Sequence, residues 1–299
     1  MIAILGAGSL GRLWAASLPP GQVSFVPRPS TERFALNPPV CYRFQTADGS
    51  ARNVAVPWLS QDHTPTLCLV TTKAGDTLNA LAPVLPQLPG TCPIVLFQNG
   101  LGSQQQVAGR WPDRPILAAT TTDGANRPEP DALVHAGRGE TWVGPLTKSA
   151  QPALGGVVEA LCESGLRVQG TSDILPRLWQ KLIVNAGINP ITALLDCPNG
   201  AILDAPFYQR WIHPLCLELS ALLRAAGQPA QNAETLQARI EAIARATAAN
   251  TSSMRADVMA GRQTEIDFIN GYLVRLGQQL GIDTPVNRML TERVQQLTS

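Results

Sequence analysis

The sequence predicts an α/β fold in which a doubly wound parallel sheet is followed by an all-helical region. A short apolar run at residues 2–5 leads directly into a Gly-x-Gly-x-x-Gly motif, and residues 10–18 then follow a helical pattern. Short strand-like runs alternate with helical segments up to about residue 170, whereas apolar residues after Thr171 follow helical spacing alone. We therefore expect a Rossmann-like domain at residues 1–170 and a helical domain at residues 171–299.

Composition narrows the classes of function. With 44% hydrophobic and 15% charged residues, the 299-residue chain can form a sizeable core, and its net charge of +1 argues against nucleic acid or an anionic membrane as the main partner. No apolar run reaches the length of a membrane span, and the chain begins directly with a strand-like run. The six cysteines form no Cys-x-x-Cys pair and the three histidines are far apart, so we expect free thiols, no metal site and a cytoplasmic location.

The glycine motif predicts a phosphate-binding loop. The first glycine allows the sharp turn out of the strand, the second lets backbone N–H groups approach a pyrophosphate, and the third lets the helix pack closely on the strand. The helix N-terminus adds unpaired donors and the positive end of its dipole. The loop comprises Gly6, Ala7, Gly8, Ser9, Leu10 and Gly11.

The second predicted strand covers residues 23–26, and the residues that follow it indicate which dinucleotide is preferred. An acid at this position would bind a free 2′-hydroxyl, but the chain reads Pro27-Arg28-Pro29 and has no acid before Glu32. A guanidinium matches a 2′-phosphate, because it presents a planar, permanently charged fork. Arg28 therefore favours NADP, and a solvated loop arginine is the alternative.

Two further strands end in candidate ligand-binding residues. Residues 67–71 precede Lys73, and residues 94–97 precede Asn99; ligands of doubly wound sheets bind at these carboxyl ends. Lys73 could equally be a solvated lysine, and Asn99 a turn former before a glycine.

The remaining α/β elements follow from turn residues and periodicity. Around Asp48-Gly49 we expect a β-hairpin at residues 40–59, inserted in the main sheet. We predict helices at residues 76–88 and 152–162, strands at 116–122, 132–135, 141–143 and 166–168, and a turn region at 124–131.

A polar stripe marks the first helix of the second domain. Lys181, Asn185 and Asn189 recur at intervals of four and would share one helix face. Gly187 and Pro190 predict that the helix frays near Asn189. Such a stripe is usually a solvated face, but asparagine is a poor helix former, so a ligand-facing surface is the alternative.

Several blocks together resemble the ketopantoate reductases (2-dehydropantoate 2-reductases). These blocks lie in order from residue 6 to residue 271 and so span nearly the whole chain. They are the glycine motif, Thr72-Lys73, Gln98-Asn99-Gly100-Leu101-Gly102, Leu178-Trp179-Gln180-Lys181-Leu182-Ile183-Val184-Asn185, Ile188-Asn189-Pro190-Ile191-Thr192-Ala193, Cys197-Pro198-Asn199-Gly200, Ser252-Ser253-Met254 and Thr264-Glu265-Ile266-Asp267-Phe268-Ile269-Asn270-Gly271.

The resemblance implies NADPH-dependent reduction of 2-dehydropantoate to (R)-pantoate, a step toward pantothenate and coenzyme A. It implies that Lys181 is the catalytic lysine and that Glu265 lies near both substrate and nicotinamide. The substrate-binding residues that it implies are Asn99, Asn185, Asn189, Asn199 and Ser253. The cofactor contacts that it implies are the loop from Gly6 to Gly11, Arg28, Lys73, Asn99, Ala125 and Glu265.

A lysine suits this chemistry. Hydride transfer to a keto carbon leaves negative charge on oxygen, which an ammonium can both stabilise and protonate. Its ordinary pKa of about 10.4 makes lysine a reluctant acid, so we expect partial burial to lower the pKa and Glu265 to oppose that shift. Asp76, three residues after Lys73, departs from the family pattern and would weaken a preference for the 2′-phosphate.

Alternatives remain at the level of function. The chain could reduce another small branched keto acid, or it could be a dinucleotide-binding sensor without turnover. For this sensor we would expect Lys181 or Glu265 to be lost, and both are present. We expect a small-molecule substrate, no nucleic acid, no membrane, and a monomer or homodimer.

Overall fold

The computed structural model describes residues 1–27 and 38–298, which form two compact units. The first comprises the described residues of Met1–Gln98 and Ser103–Ile174. The second comprises Asn99–Gly102 and the described chain from Leu175 onward. The four-residue segment that follows strand β6 thus groups with the helical unit. Arg28 lies outside the described residues.

A seven-stranded, mainly parallel sheet forms the centre of the first unit, as the alternation of strand and helix patterns predicts. Its strand order is β11-β10-β7-β6-β5-β1-β2, and only the β10–β7 pair is antiparallel. Its central strands are buried along their whole length, which is typical of a sheet with both faces covered. The strands are β1 (Ile2–Leu5), β2 (Val23–Phe25), β5 (Leu67–Val70), β6 (Ile94–Leu96), β7 (Ile116–Thr121), β10 (Thr141–Pro145) and β11 (Val168–Gly170).

A second sheet corrects one prediction. The hairpin around Asp48-Gly49 forms, but it is not inserted in the main sheet; it belongs to a separate sheet of order β4-β3-β9-β8. In β3 only Tyr42 and Phe44 are buried, between exposed neighbours, so this strand has one apolar face and cannot lie inside a sheet covered on both sides. These strands are β3 (Val40–Gln45), β4 (Ala51–Val56), β8 (Gly124–Asn126) and β9 (Ala132–Gly137).

Helices of the first unit follow the predicted order with two differences. The predicted helix at residues 76–88 is only α2 (Thr77–Leu81) and a 3₁₀ turn at Leu85–Gln87, because Pro83 and Pro86 have no N–H to donate. Helix α3 (Ser103–Arg110) was not predicted, since three consecutive glutamines obscure its apolar periodicity. The other helices are α1 (Ser9–Ser17) and α4 (Leu154–Cys162).

The second unit is built from helices, and the described residues after Leu175 contain no strand. Its longest helix, α5, carries the polar stripe and packs against several of the others. The helices are α5 (Leu175–Leu195), α6 (Pro206–Ala225), α7 (Ala233–Ala246), α8 (Ser253–Met259), α9 (Asn270–Leu280) and α10 (Pro285–Leu297). In the part of the chain that is described, none of the helices has the length and apolar character needed to cross a membrane.

Candidate active site and dinucleotide loop

The glycine loop has the geometry that a pyrophosphate site requires. Gly6 has φ +113°, and a Cβ there would lie 2.9 Å from the backbone of Thr71 and Thr72. At Gly11 a Cβ would lie only 1.9 Å from the carbonyl oxygen of Gly6, so the close packing of helix on strand needs glycine. A Gly8 Cβ, by contrast, would have no heavy atom of the described residues within 4 Å. The loop is therefore closed toward the sheet and accessible at its middle glycine, which fits a bound pyrophosphate.

The N-terminus of α1 adds favourable electrostatics to this loop. Gly8 is its N-cap and provides no side-chain cap, and the first turn contains no acidic residue. Backbone N–H groups in the first turn of a helix have no intrahelical acceptor and attract anions. Ala7, Ser9 and Leu10 are half-buried along the same stretch.

The topology brings a second predicted cofactor residue to the same edge of the main sheet. Strand β1 pairs with β2 on one side and with β5 on the other, so the strand order reverses at β1. Ligands of doubly wound sheets bind at the carboxyl ends of the strands beside such a reversal. Half-buried Lys73 follows β5 there, and exposed Asp76 precedes α2.

Ala125 lies in a strand rather than in a turn. The region predicted as a turn at residues 124–131 contains β8, in which Ala125 pairs with His135 of β9. Its sequence, Gly-Ala-Asn, has low strand propensity, so the strand depends on pairing with β9. Next to it, His135 Nε2 lies 2.9 Å from Asp123 Oδ1, and both side chains are buried. Sequence reasoning missed this pair, because its members are 12 positions apart in the chain.

Helix α5 continues through its proline, contrary to the predicted fraying near Asn189. Pro190 cannot donate to the carbonyl of Ala186, one turn earlier, but Asn270 Nδ2 donates to that oxygen at 3.3 Å. The substitute donor satisfies the freed carbonyl, so the helix extends to Leu195. All three residues of the polar stripe therefore lie on one helix, with Asn189 buried and Lys181 and Asn185 half-buried.

Asn270 belongs to a buried polar network that also orders α10. Its Nδ2 donates to Asn287 Oδ1 at 3.0 Å, and Asn287 Nδ2 donates to Glu218 Oε2 at 2.7 Å. The carboxylate of Glu218 also accepts from the backbone N–H groups of Val286 and Asn287 at the start of α10. Burial raises the pKa of Glu218, and these hydrogen bonds oppose that shift. The network was not found from sequence, because its members lie on three separate helices.

Lys181 is electrostatically coupled to Glu265 within the helical unit. Desolvation lowers the pKa of Lys181 to about 8, and the negative charge of Glu265 partly opposes this shift. Asn99 Nδ2 donates to Glu265 Oε2 at 3.0 Å, so the segment Asn99–Gly102 supplies an amide to this cluster. Three side chains named from the sequence are thus brought together: an amine with a lowered pKa, a carboxylate and an amide.

Glycine at position 100 makes this placement of Asn99 possible. Gly100 has φ +77°, and a Cβ there would lie 2.1 Å from the carbonyl oxygen of Phe268. The same oxygen accepts a hydrogen bond from the N–H of Leu101 at 2.9 Å. The sequence Asn-Gly therefore encodes a close backbone approach to the segment that carries Glu265.

Asn199 and Ser253 have different environments from the rest of the predicted site. Asn199 is buried and donates through Nδ2 to Thr247 Oγ1 at 3.0 Å, and its Oδ1 is buried without a hydrogen-bond partner among the described residues. Ser253 is exposed in the first turn of α8. Its neighbour Ser252 is the buried N-cap of that helix and hydrogen-bonds Thr192 Oγ1 at 2.7 Å. Ser252 could have been recognised from sequence as a cap preceding a helix.

The described residues offer no cluster of three or more His, Cys, Asp or Glu side chains that could hold a metal ion. All six cysteines are free thiols. Among the groups described above, Lys181 can donate a proton and Asn99 can donate hydrogen bonds, while the separate glycine loop can hold a pyrophosphate.

Protein-family models and known relatives of this chain both lead to the same family. Residues 2–148 match the family model described as ketopantoate reductase PanE/ApbA, and residues 173–298 match its C-terminal model. A 2-dehydropantoate 2-reductase from Vibrio cholerae is 35% identical over 99% of this chain and 97% of its own length. One from Archaeoglobus fulgidus is 32% identical over 100% of this chain and 98% of its own length.

Solved structures show the same fold. The crystal structure of a PanE/ApbA family ketopantoate reductase from Ralstonia eutropha JMP134 superposes with a TM-score of 0.83 at 25% identity, over 99% of this chain and 98% of that one. The family models, the full-length relatives and the fold lead to one conclusion: this chain belongs to the ketopantoate reductase PanE/ApbA family.

Proposed function

We propose that this protein is an NADPH-dependent 2-dehydropantoate 2-reductase, which reduces ketopantoate to (R)-pantoate in pantothenate biosynthesis. The observation that carries the proposal is the coupling of Lys181, whose pKa is lowered to about 8, to Glu265 and through it to Asn99. Full-length relatives that bear the name 2-dehydropantoate 2-reductase support the choice of substrate. The proposed setting is the cytoplasm, with the chain acting as a monomer or homodimer.

The dinucleotide would be held in part by the loop Gly6–Gly11, whose open middle glycine leaves room for the pyrophosphate. Lys73 at the end of β5 and Arg28, which lies outside the described residues, would bind the 2′-phosphate. We include Ala125 among the contacts on the strength of family resemblance. When bound, NADPH supplies the hydride that reduces the 2-keto carbon.

The protein's own part in the reaction is proton transfer. The Lys181 ammonium donates a hydrogen bond to the keto oxygen, stabilises the negative charge that develops there, and transfers its proton to yield the alcohol. Solvent then reprotonates the amine. Because its pKa is about 8 rather than 10.5, the ammonium is a better acid than an ordinary lysine and is still mostly protonated at neutral pH.

The neighbouring groups tune and orient this acid. The negative charge of Glu265 keeps the amine from losing its proton too readily, and Asn99 fixes the carboxylate through a 3.0 Å hydrogen bond. Asn185 and Asn189 share a helix face with Lys181 and would hydrogen-bond the substrate's carboxylate and 4-hydroxyl without adding charge. Asn199 and Ser253 complete the substrate-binding set that the family resemblance implies.

Measuring NADPH oxidation at 340 nm with ketopantoate tests the proposal. We expect Lys181→Met to lower kcat by about three orders of magnitude, since it removes the acid and the charge, while the Kd for NADPH stays within about threefold. Asp204→Asn, an exposed site on another part of the helical unit, is the control and should behave as wild type. Turnover of Lys181→Met at a rate close to wild type would contradict the proposed acid.

Substrate identity needs a separate comparison. A branched 2-keto acid that lacks the 4-hydroxyl would leave an amide of the Asn185 and Asn189 pair without its partner, so we expect kcat/KM to fall at least about a hundredfold relative to ketopantoate. Equal kcat/KM values for the two acids would instead identify a reductase of broader keto acid specificity.

A further inference from the structure

Arg12, the residue after the glycine motif, makes contacts that no feature of the proposed function explains. It lies in α1, is 9% exposed, and donates through Nε to the carbonyl oxygen of Ala7 at 3.1 Å. A terminal guanidinium nitrogen donates to the carbonyl oxygen of Pro130 at 2.6 Å. The guanidinium carbon lies 5.0 Å from the ring centre of Tyr42, whose hydroxyl donates to the carbonyl of Arg12 at 2.7 Å. One side chain thus joins the glycine loop to the second sheet.

The bond to Ala7 fixes a peptide group in the middle of the loop. In a trans peptide the C=O and N–H groups point in opposite directions. Holding the carbonyl of Ala7 toward the guanidinium therefore turns the N–H of Gly8 away from Arg12. Gly8 is the glycine of the loop at which a Cβ would meet no atom of the described chain within 4 Å. Arg12 thereby sets the direction in which the N–H of Gly8, the accessible glycine of the loop, can donate.

Arg12 also places a buried positive charge beside this loop. None of the ion pairs among the described residues includes Arg12. Burial lowers its pKa, nearby Arg127 lowers it further, and Tyr42 and Asp131 act in the opposite direction. A guanidinium desolvated in this way gains from an anion placed close by.

We propose that Arg12 is a positioning residue for the pyrophosphate of the dinucleotide: it holds the Ala7–Gly8 peptide and supplies positive charge beside the loop. The inference rests on the proposed function, since it requires that the loop bind a dinucleotide. Arg12 thus acts through a backbone peptide and through its charge, whereas the glycines of the loop act by leaving space.

The chain contains a matched control for this side chain. Arg52 of β4 donates from its guanidinium to the carbonyl oxygen of Ala16, near the other end of α1. Its guanidinium carbon lies 5.7 Å from the ring centre of Phe44 in β3. Like Arg12, Arg52 therefore donates to a backbone carbonyl and lies against an aromatic ring of β3. Its carbonyl partner belongs to α1, however, and not to the glycine loop.

The test compares Arg12→Met with Arg52→Met by isothermal titration with NADPH and by thermal melting. Arg12→Met removes the hydrogen bond that holds the carbonyl of Ala7 and the positive charge beside the loop. We therefore expect a Kd for NADPH that is about tenfold to a hundredfold higher in this variant. In Arg52→Met we expect the Kd to stay within about twofold of wild type, although the melting temperature falls in both. The Kd of 2′-AMP, a ligand without the pyrophosphate, should be unchanged in Arg12→Met.

Equal losses of NADPH affinity in the two variants would overturn the inference, and so would an equal loss of 2′-AMP affinity in Arg12→Met. Should Arg12→Met fail to fold, Arg12→Lys is compared with Arg52→Lys. Lysine keeps the charge but not the fork, so we expect a Kd about fivefold higher in Arg12→Lys only, and equal values would again overturn it. A wild-type protein that binds no NADPH would refute the proposed function itself.

Discussion

Replacing Glu265 by Gln provides the sharpest test of the electrostatics around Lys181. The pKa of this lysine falls from 10.5 to about 8, which is the net result of burial that lowers it and of Glu265 that raises it. At about 1.4 kcal/mol per pKa unit, the site disfavours the ammonium by about 3 kcal/mol overall. Glutamine keeps an oxygen that can accept from Asn99 but removes the negative charge. Of these two causes, burial is the one that the substitution leaves in place.

A charge neighbour of this kind shifts a pKa by about one unit or more, so we expect the pKa of Lys181 to fall to about 7 in Glu265→Gln. Because the acid must be protonated, the rate of reduction is lost as pH rises through this pKa. The wild-type profile of kcat/KM should therefore bend downward near pH 8, and that of the variant near pH 7. At about pH 9 the variant should retain only about a hundredth of its plateau value, against about a tenth for wild type.

The assay is kcat/KM for ketopantoate at saturating NADPH between about pH 5.5 and about pH 9.5, a range that extends about 1.5 units beyond each expected bend. Asn99→Leu serves as the control, since it removes the hydrogen bond to Glu265 but keeps the carboxylate charge. Its profile should still bend near pH 8, at a lower plateau. A bend in Glu265→Gln that stays at the wild-type position or moves upward would refute the assignment of Lys181 as the acid coupled to Glu265.

Three further predictions concern the cofactor site and the fold. Arg28→Ala should raise the Kd for NADPH at least about tenfold and leave that for NADH nearly unchanged, and equal losses would mean that Arg28 does not bind the 2′-phosphate. Gly11→Ala would place a Cβ 1.9 Å from the oxygen of Gly6, so NADPH binding by titration should be lost; Gly109→Ala, where a Cβ meets nothing, should bind normally. Asn270→Leu leaves two buried oxygens without a donor, so urea unfolding should show a loss of about 2–5 kcal/mol, and a loss below about 1 kcal/mol would contradict the network.

Local patterns in the sequence predicted the main sheet well, because its buried strands are short apolar runs and its glycine motif follows one of them. The second sheet was placed wrongly, since an alternating strand such as β3 does not reveal which sheet it joins. Strand β8 was missed because its stability comes from pairing with β9 rather than from its own residues. Partner choice is a tertiary property that propensity alone does not encode.

In the candidate site too, local sequence patterns predicted some features, whereas others depend on tertiary contacts. Lys181 and Asn185 could be placed on one helix face from spacing alone, but the end of that helix could not. A proline ordinarily ends a helix pattern, and here the freed carbonyl of Ala186 is satisfied by a donor 84 residues further along the chain. Arg12 likewise reads as an ordinary helix residue until its contacts with Ala7 and Pro130 are seen.

In the buried network around Asn270, the direction of each hydrogen bond is set by the one between Asn287 Nδ2 and Glu218 Oε2. An ionised carboxylate accepts hydrogen bonds and cannot donate them, so Glu218 forces Asn287 to present its NH₂ group and to turn its oxygen the other way. Asn270 donates to that oxygen through its own NH₂ group, and the same group also donates to the carbonyl of Ala186 in α5. The amide orientations therefore follow in order from Glu218 to Asn287 to Asn270. A protonated Glu218 carboxyl could donate as well as accept, so it would no longer fix which way the Asn287 amide turns, nor the donor that reaches the carbonyl of Ala186.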